Sequence, residues 1–228
     1  MPITRRSFMT GLPLVLGGCA TSEIPVSIKP VTYSPASDPH YREVYGPITS
    51  EPWPIAGVDL KKVNPKFLRQ EVAYISAYAP GTVVVDPVER FAYLIQEGNR
   101  ALRYGVGVGK VEAFNFQGEA TIAAKKEWPG WKPTPDMIAR EPERYGPLKD
   151  GLSGGPKNPL GPRALYLFRD GRDTFYRLHG TVEPWTIGTK VSSGCIRLFN
   201  QDIIDLYNRV PVGTKAVVLP ATKEAETA

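Results

Sequence analysis

Cysteine and histidine are both scarce in this chain, which has only Cys19 and Cys195, His40 and His179. His179 and Cys195 fall within one stretch, Arg177 to Asn200 (RLHGTVEPWTIGTKVSSGCIRLFN), sixteen positions apart. A cysteine with a histidine elsewhere in the chain is the minimal set for thiol nucleophilic catalysis. The thiolate is the reactive form, and a base must generate it. The alternative is structural, a buried inert thiol and a satisfied polar ring. The neighbouring residues favour the chemistry.

Thr174 to His179 (TFYRLH) reads as a strand that alternates faces, with Phe175, Arg177 and His179 on one side. Gly180 ends the strand and leaves its carbonyl accessible to the imidazole. An imidazolium at His179 would favour the Cys195 thiolate and lower the thiol pKa. Ser192-Ser193-Gly194-Cys195 is a small, flexible run in which the Gly194 and Cys195 N–H groups could serve an oxyanion hole. Asn200 then opens an amphipathic helix, NQDIIDLYNRV, with Ile203, Ile204 and Tyr207 at helical spacing and Asp202 in its first turn.

His-Gly-Thr, a short insert, Ser-Ser-Gly-Cys-Ile-Arg-Leu, a helix and then Val-Gly-Thr-Lys-Ala-Val-Val-Leu together resemble the catalytic domain of the L,D-transpeptidases. The resemblance covers roughly Thr82 to Leu219 and is strongest from Asn158 onward. Many members of that family carry a histidine two residues before the cysteine, where this chain has Ser193. His179 therefore carries the assignment of the base alone.

The resemblance implies peptidoglycan stem peptides as substrates and carbapenems as inhibitors. It also implies two-step acyl transfer. Cys195 would attack the bond between a stem's third, diamino acid residue and its terminal D-alanine. His179, oriented by the Gly180 carbonyl, would move the proton, and an amine would resolve the thioester. The acceptor stays open: a second stem, a D-amino acid, an outer-membrane protein, or water in a related hydrolase. A non-catalytic wall-binding lipoprotein is a further alternative. Arg197 either binds a substrate carboxylate or forms an internal ion pair with Asp202 or Glu183. Ser193 either lends a hydroxyl to the site or only allows close backbone approach. Trp185 is a pocket wall or core, and Asp170 and Asp173 read as turn residues.

The 228 residues suffice for one substantial domain with appendages. Together, 23 prolines and 22 glycines favour strands and loops over long helices. The net charge of +5 includes Arg5 and Arg6, so removal of a leader lowers it by two. With no basic stripe interleaved with aromatics, nucleic acid is disfavoured. One histidine and one cysteine in the domain make a metal site unlikely, and no cofactor is expected. Thr4-Arg5-Arg6-Ser7-Phe8-Met9 matches a twin-arginine export pattern, and the apolar run Phe8 to Gly18 is too short to span a bilayer. Leu16-Gly17-Gly18-Cys19 resembles a lipobox with Cys19 lipidated, the alternative being cleavage after Ala20. The expected location is the periplasm or cell envelope, with membrane contact only through a lipid anchor.

Four regions follow from this reading. Residues 1–19 form the export signal with its lipobox. Residues 20–80 form a proline-rich tether or arm and a short helix from Asn64 to about Val72. Residues 81–220 form the catalytic domain, and 221–228 a tail. The arm is expected to carry no core, with Tyr41, Tyr45 and Trp53 packing locally on the surface. TVVVD and FAYLIQ read as a hairpin, ALRYGVGVG as a third strand, and Thr121 to Lys126 as another. Residues 128–161 carry one short helix from near Thr134 and form either an ordered lid or a surface excursion. Ala164 to Phe168 and Thr174 to His179 flank an Asp170-Gly171 turn. The fold expected is mostly β, a mixed sandwich or partly closed barrel with a few short helices. The sandwich arrangement is what the resemblance implies.

Overall fold

VVVD and FAYLIQ are too uniformly apolar for a sheet with one wet face, and the computed structural model buries both of their faces. It describes residues 34–110, 116–192 and 194–221. The leader with Cys19, Ser193 and the tail beyond 221 lie outside the described residues.

The strands are β1 (Gln70–Ala73), β2 (Val83–Asp86), β3 (Phe91–Gln96), β4 (Arg100–Gly105), β5 (Val108–Gly109), β6 (Gly118–Glu127), β7 (Arg163–Arg169), β8 (Arg172–His179), β9 (Lys190–Ser192), β10 (Ile196–Arg197) and β11 (Lys215–Val218). The helices α1 (Pro39–Val44), α2 (Pro135–Arg140), α3 (Pro142–Tyr145) and α4 (Asn200–Arg209) are all short. One mixed sheet runs β1-β4-β3-β2-β11-β6-β7-β8-β10, and β5 pairs with β9 beside it. The large sheet does not close into a barrel, since β1 and β10 remain its edges. Its β2–β11 and β8–β10 pairs are parallel.

Alternation along β2 explains the double burial. Val83 and Val85 enter one core with Leu94, Tyr104, Ile122, Leu165, Leu178, Ile203 and Leu206, whereas Val84 enters a second with Phe91, Tyr93, Tyr45 and Phe199. Because residues of β2–β4 and of β7–β8 share the first core, the sheet bends around it, with α4 packed inside.

Several expectations change here. Tyr45 is only 1% exposed, and its hydroxyl donates to both Asp202 carboxylate oxygens, so the arm supplies core. The helix from Asn64 stops after one 3₁₀ turn, Pro65–Phe67, which Asn64 caps by accepting the Lys66 N–H at 3.0 Å. Burial of Leu68 and pairing of β1 with β4 then hold the chain extended. In α4 the buried stripe is Ile203, Leu206 and Val210, while Ile204 and Tyr207 are only half-buried. Glycine at 105 permits a close backbone approach, because a Cβ there would collide with the Phe67 carbonyl. Residues 128–161 hold two helices where one was expected. Asn158 fixes the last part of that segment by donating to the Leu152 and Ser153 carbonyls and accepting from Leu160 N–H.

Candidate active site

The parallel pairing of β8 with β10 sets Leu178 beside Ile196 and His179 beside Arg197. Leu178 and Ile196 point into the core, so His179 and Arg197 share the other face. Continuing that register by two residues brings Cys195 beside Arg177 on the same face. Phe175, expected to join them, does not. The β7–β8 ladder slips there because Thr174 Oγ1 donates to the Leu167 carbonyl and Asp173 accepts the Phe175 N–H. The resulting bulge leaves Phe175 at φ 63 and 68% exposed. Its carbonyl accepts from the Cys195 thiol at 3.8 Å.

His179 is buried, with Nδ1 2.6 Å from the Gly180 carbonyl. A carbonyl only accepts, so Nδ1 carries the proton and Nε2 keeps the lone pair. The loop after His179 is held from two sides: Gly180 N–H donates to the Arg163 carbonyl at 3.2 Å, and Thr181 N–H to Asn200 Oδ1 at 2.8 Å. Only glycine fits at 180, since a Cβ would collide with Asn200 Oδ1 and Pro162. Burial, and then the charges of Arg197 and Arg177, push the imidazole pKa down to about 3, against the opposing Gly180 bond. At neutral pH the ring is uncharged. No resting imidazolium is available to acidify the thiol, which corrects the expectation drawn from the sequence.

Cys195 is a free, half-buried thiol. Burial raises its pKa; the Arg177 guanidinium, the Arg177 N–H and Arg197 oppose that rise, while Asp173 adds to it. Arg177 is itself fixed, with both guanidinium nitrogens 2.8 Å from Asp173 and its plane 4.3 Å from the Tyr166 ring. Asp173 is thus more than a turn residue. The Arg177→Met protein is expected to label severalfold more slowly with iodoacetamide at pH 7, its alkylation midpoint moved to higher pH. An unchanged pH profile would show that Arg177 does not set the thiol's acidity.

The remaining site residues divide. Gly194 N–H does not face outward; it donates to Ser192 Oγ at 3.2 Å, and Ser192 Oγ donates to the Cys195 carbonyl at 2.6 Å. The small run closes on itself because a serine hydroxyl can accept and donate at once. Arg197 forms the internal ion pair, 2.6 Å from Glu183, with Thr186 Oγ1 at 3.4 Å. Asp202 is engaged elsewhere, with Tyr45 and Arg69. Trp185 is 71% exposed, which removes its reading as core.

Tyr166 and Tyr176 went unassigned in the sequence, and Asp173 was read only as a turn residue. Burial raises the Tyr176 pKa; the charge of Cys195 adds to that rise and the charge of Arg140 in α2 opposes it. The alternation of TFYRLH marked Arg177 but gave it no role. Among the described residues, no group of three or more His, Cys, Asp or Glu could hold a metal ion.

A sequence model described as the YkuD L,D-transpeptidase catalytic domain matches residues 80–218. The chain belongs to this family. The match agrees with the resemblance drawn from residues 82–219. Probable L,D-transpeptidase YbiS of Escherichia coli (strain K12) is 35% identical over 149 residues, 64% of this chain and 46% of that protein. Probable L,D-transpeptidase ErfK/SrfK of the same strain is 34% identical over 139 residues, 60% of this chain and 43% of that protein. The chain spans about half the length of the curated relatives it matches. A solved structure described as a probable carnitine operon oxidoreductase caia from Brucella melitensis is 53% identical, covering 71% of this chain and 99% of its own. Its TM-score is 0.47.

Proposed function

We propose that this L,D-transpeptidase-family protein transfers the acyl group of a peptidoglycan stem tetrapeptide, with Cys195 as nucleophile and His179 as base. The observation that supports this reading most is the tautomer: Nδ1–H bound to the Gly180 carbonyl leaves Nε2 as the proton acceptor on the face that Cys195 shares. The Cys195 thiol gives its proton to Nε2, and the sulfur attacks the carbonyl that joins the diamino acid to D-alanine. Collapse of the tetrahedral adduct breaks the C–N bond, and Nε2 returns the proton to the departing D-alanine amine. An incoming amine then attacks the thioester, loses a proton to Nε2, and restores the thiol. The Cys195 N–H is the donor proposed for the oxyanion, since Gly194 N–H is engaged by Ser192. Arg177 supports the thiolate as it forms, a task that does not require it to leave Asp173.

The proposed setting is the cell envelope. What supports it is the Arg5-Arg6 pattern ahead of an apolar run, with Cys19 as the candidate lipid anchor.

Incubation with purified disaccharide tetrapeptide tests the reaction. The expected products are free D-alanine and a cross-linked dimer. Tripeptide without dimer would assign a hydrolase, and an unchanged substrate would remove the catalytic reading.

A further inference from the structure

The two clamps on the histidine loop are themselves held by residues far upstream. Arg163, whose carbonyl accepts the Gly180 N–H, directs both guanidinium nitrogens at Glu51, at 2.6 and 2.9 Å. Glu51 also accepts the Trp128 indole N–H at 2.8 Å, and Trp53 packs edge-on against the Trp128 ring with centroids 5.0 Å apart. On the other side, Asn200 accepts the Thr181 N–H, and the next residue, Gln201, donates to the carbonyls of Gly46 and Ala56 at 3.0 and 3.1 Å. Tyr45 reaches Asp202 one residue further on. Residues 45–56 therefore grip the first residue of β7 and the first turn of α4. Those are the two ends between which His179, Gly180 and Thr181 are strung. All of these arm residues precede the family match at 80–218.

We propose that residues 45–56 are a positioning element for the His179 imidazole, with Glu51 as the residue that transmits it through Arg163 to Gly180. Glu51 never meets the reacting atoms. It fixes the Arg163 carbonyl, which fixes the Gly180 peptide, whose carbonyl fixes the ring. A planar bidentate carboxylate–guanidinium pair suits this task because it defines orientation as well as distance. Arg163 is buried and Glu51 half-buried, with side chains 8% and 12% exposed, so little of the pair faces water. The inference rests on the reading of His179 as base.

The test is Glu51→Gln, with Glu71→Gln as the control, since Glu71 forms only an exposed pair with Arg100. Glutamine keeps the shape but cannot accept from both guanidinium nitrogens and the indole. Two readouts are taken: the downfield ¹H NMR signal of the buried His179 Nδ1–H, and kcat with KM for D-alanine release. The expected result is a shifted or broadened Nδ1–H signal and a kcat lowered about 10- to 100-fold by misplacement of the base, with KM held within about twofold. Glu71→Gln changes neither. A folded Glu51→Gln protein with an unaltered signal and kcat, even at a lowered Tm, overturns the proposal. An altered signal with kcat retained supports the positioning role and removes His179 as base instead. If Glu51→Gln does not fold, Gln201→Ala, which frees the arm at its other anchor, is decided by the same two readouts.

Discussion

The Cys195→Ala protein is expected to fold as the wild type does while losing D-alanine release and carbapenem adduct formation by several orders of magnitude. The two halves of that expectation have separate causes. Structurally, the sulfur meets the Phe175 carbonyl through one long hydrogen bond and the Arg177 N–H, whereas the backbone around it is held by other contacts. Ser192 Oγ fixes the Cys195 carbonyl, and Ile196 and Leu198, on either side of Arg197, lie in the core. Removing one half-buried sulfur therefore costs little stability. Chemically, a nucleophile within a coupled unit is not replaceable by its partners, so losing it costs nearly what losing the whole unit would. Intact-protein mass after carbapenem exposure, D-alanine release and Tm together check both halves. Residual turnover within about tenfold of wild type would place the nucleophile elsewhere.

How much of this was legible in the residues depended on how local the cause was. The β2–β3 and β7–β8 hairpins were readable because β-branched and aromatic runs flank turns such as Asp170-Gly171, where φ of 51 and 74 is what Asp-Gly tolerates. The start of α4 was readable from a short motif. What could not be read is what comes from distant parts of the chain. Tyr45 meets Asp202 across 157 positions and Glu51 meets Arg163 across 112, and no periodicity announces such pairs. A stretch with little apolar alternation therefore reads as a tether or wrapping arm without core, yet single residues in it, Tyr45 and Ile55, are core. Arg177 shows the same limit at the site. Its place beside Cys195 comes from parallel pairing of β8 with β10, strands separated by the whole Thr181–Lys190 excursion.

Local detail can mislead as well. Strict alternation put Phe175 on the face of His179, but two side-chain bonds, from Thr174 and to Asp173, replaced ladder bonds and inserted a bulge. Gly194, beside Cys195, looked free to donate outward, yet the Ser192 hydroxyl captured its N–H. In both places a short polar side chain competed with the backbone pattern and won. The consequence for the thiol is specific. Its neutral form donates to a carbonyl delivered by the bulge, and its anionic form is supported by an arginine that the register delivers.

His179→Gln is expected to lower turnover by about 10²- to 10⁴-fold, the range that a positioned general base contributes. Glutamine preserves much of the ring's bulk and can still donate to the Gly180 carbonyl, but it offers no basic nitrogen. Its pH behaviour makes the assignment sharper. The folded imidazole titrates at about 3, below its ordinary value of 6.5, because burial and two arginines oppose its charge. The wild-type rate should therefore show no imidazole limb between pH 7 and pH 5. The sign for stability follows from the same numbers. Between 6.5 and 3 the unfolded chain binds a proton that the folded ring refuses, so the contribution is present above 6.5 and is lost as pH falls toward 3. Asp202, raised to about 7 by burial, works in the opposite direction, contributing at low pH and losing that contribution as pH rises through 7. Both proteins carry Asp202, so it cancels when they are compared. Urea titrations at pH 7 and pH 5 should show wild type losing more stability on acidification than His179→Gln does. Rate–pH curves over the same interval should be flat for wild type. An acid limb near 6.5, together with equal acid sensitivity of the two proteins, would mean that His179 is solvated and titrates normally. Turnover retained by His179→Gln, in contrast, would mean that the base is a different group.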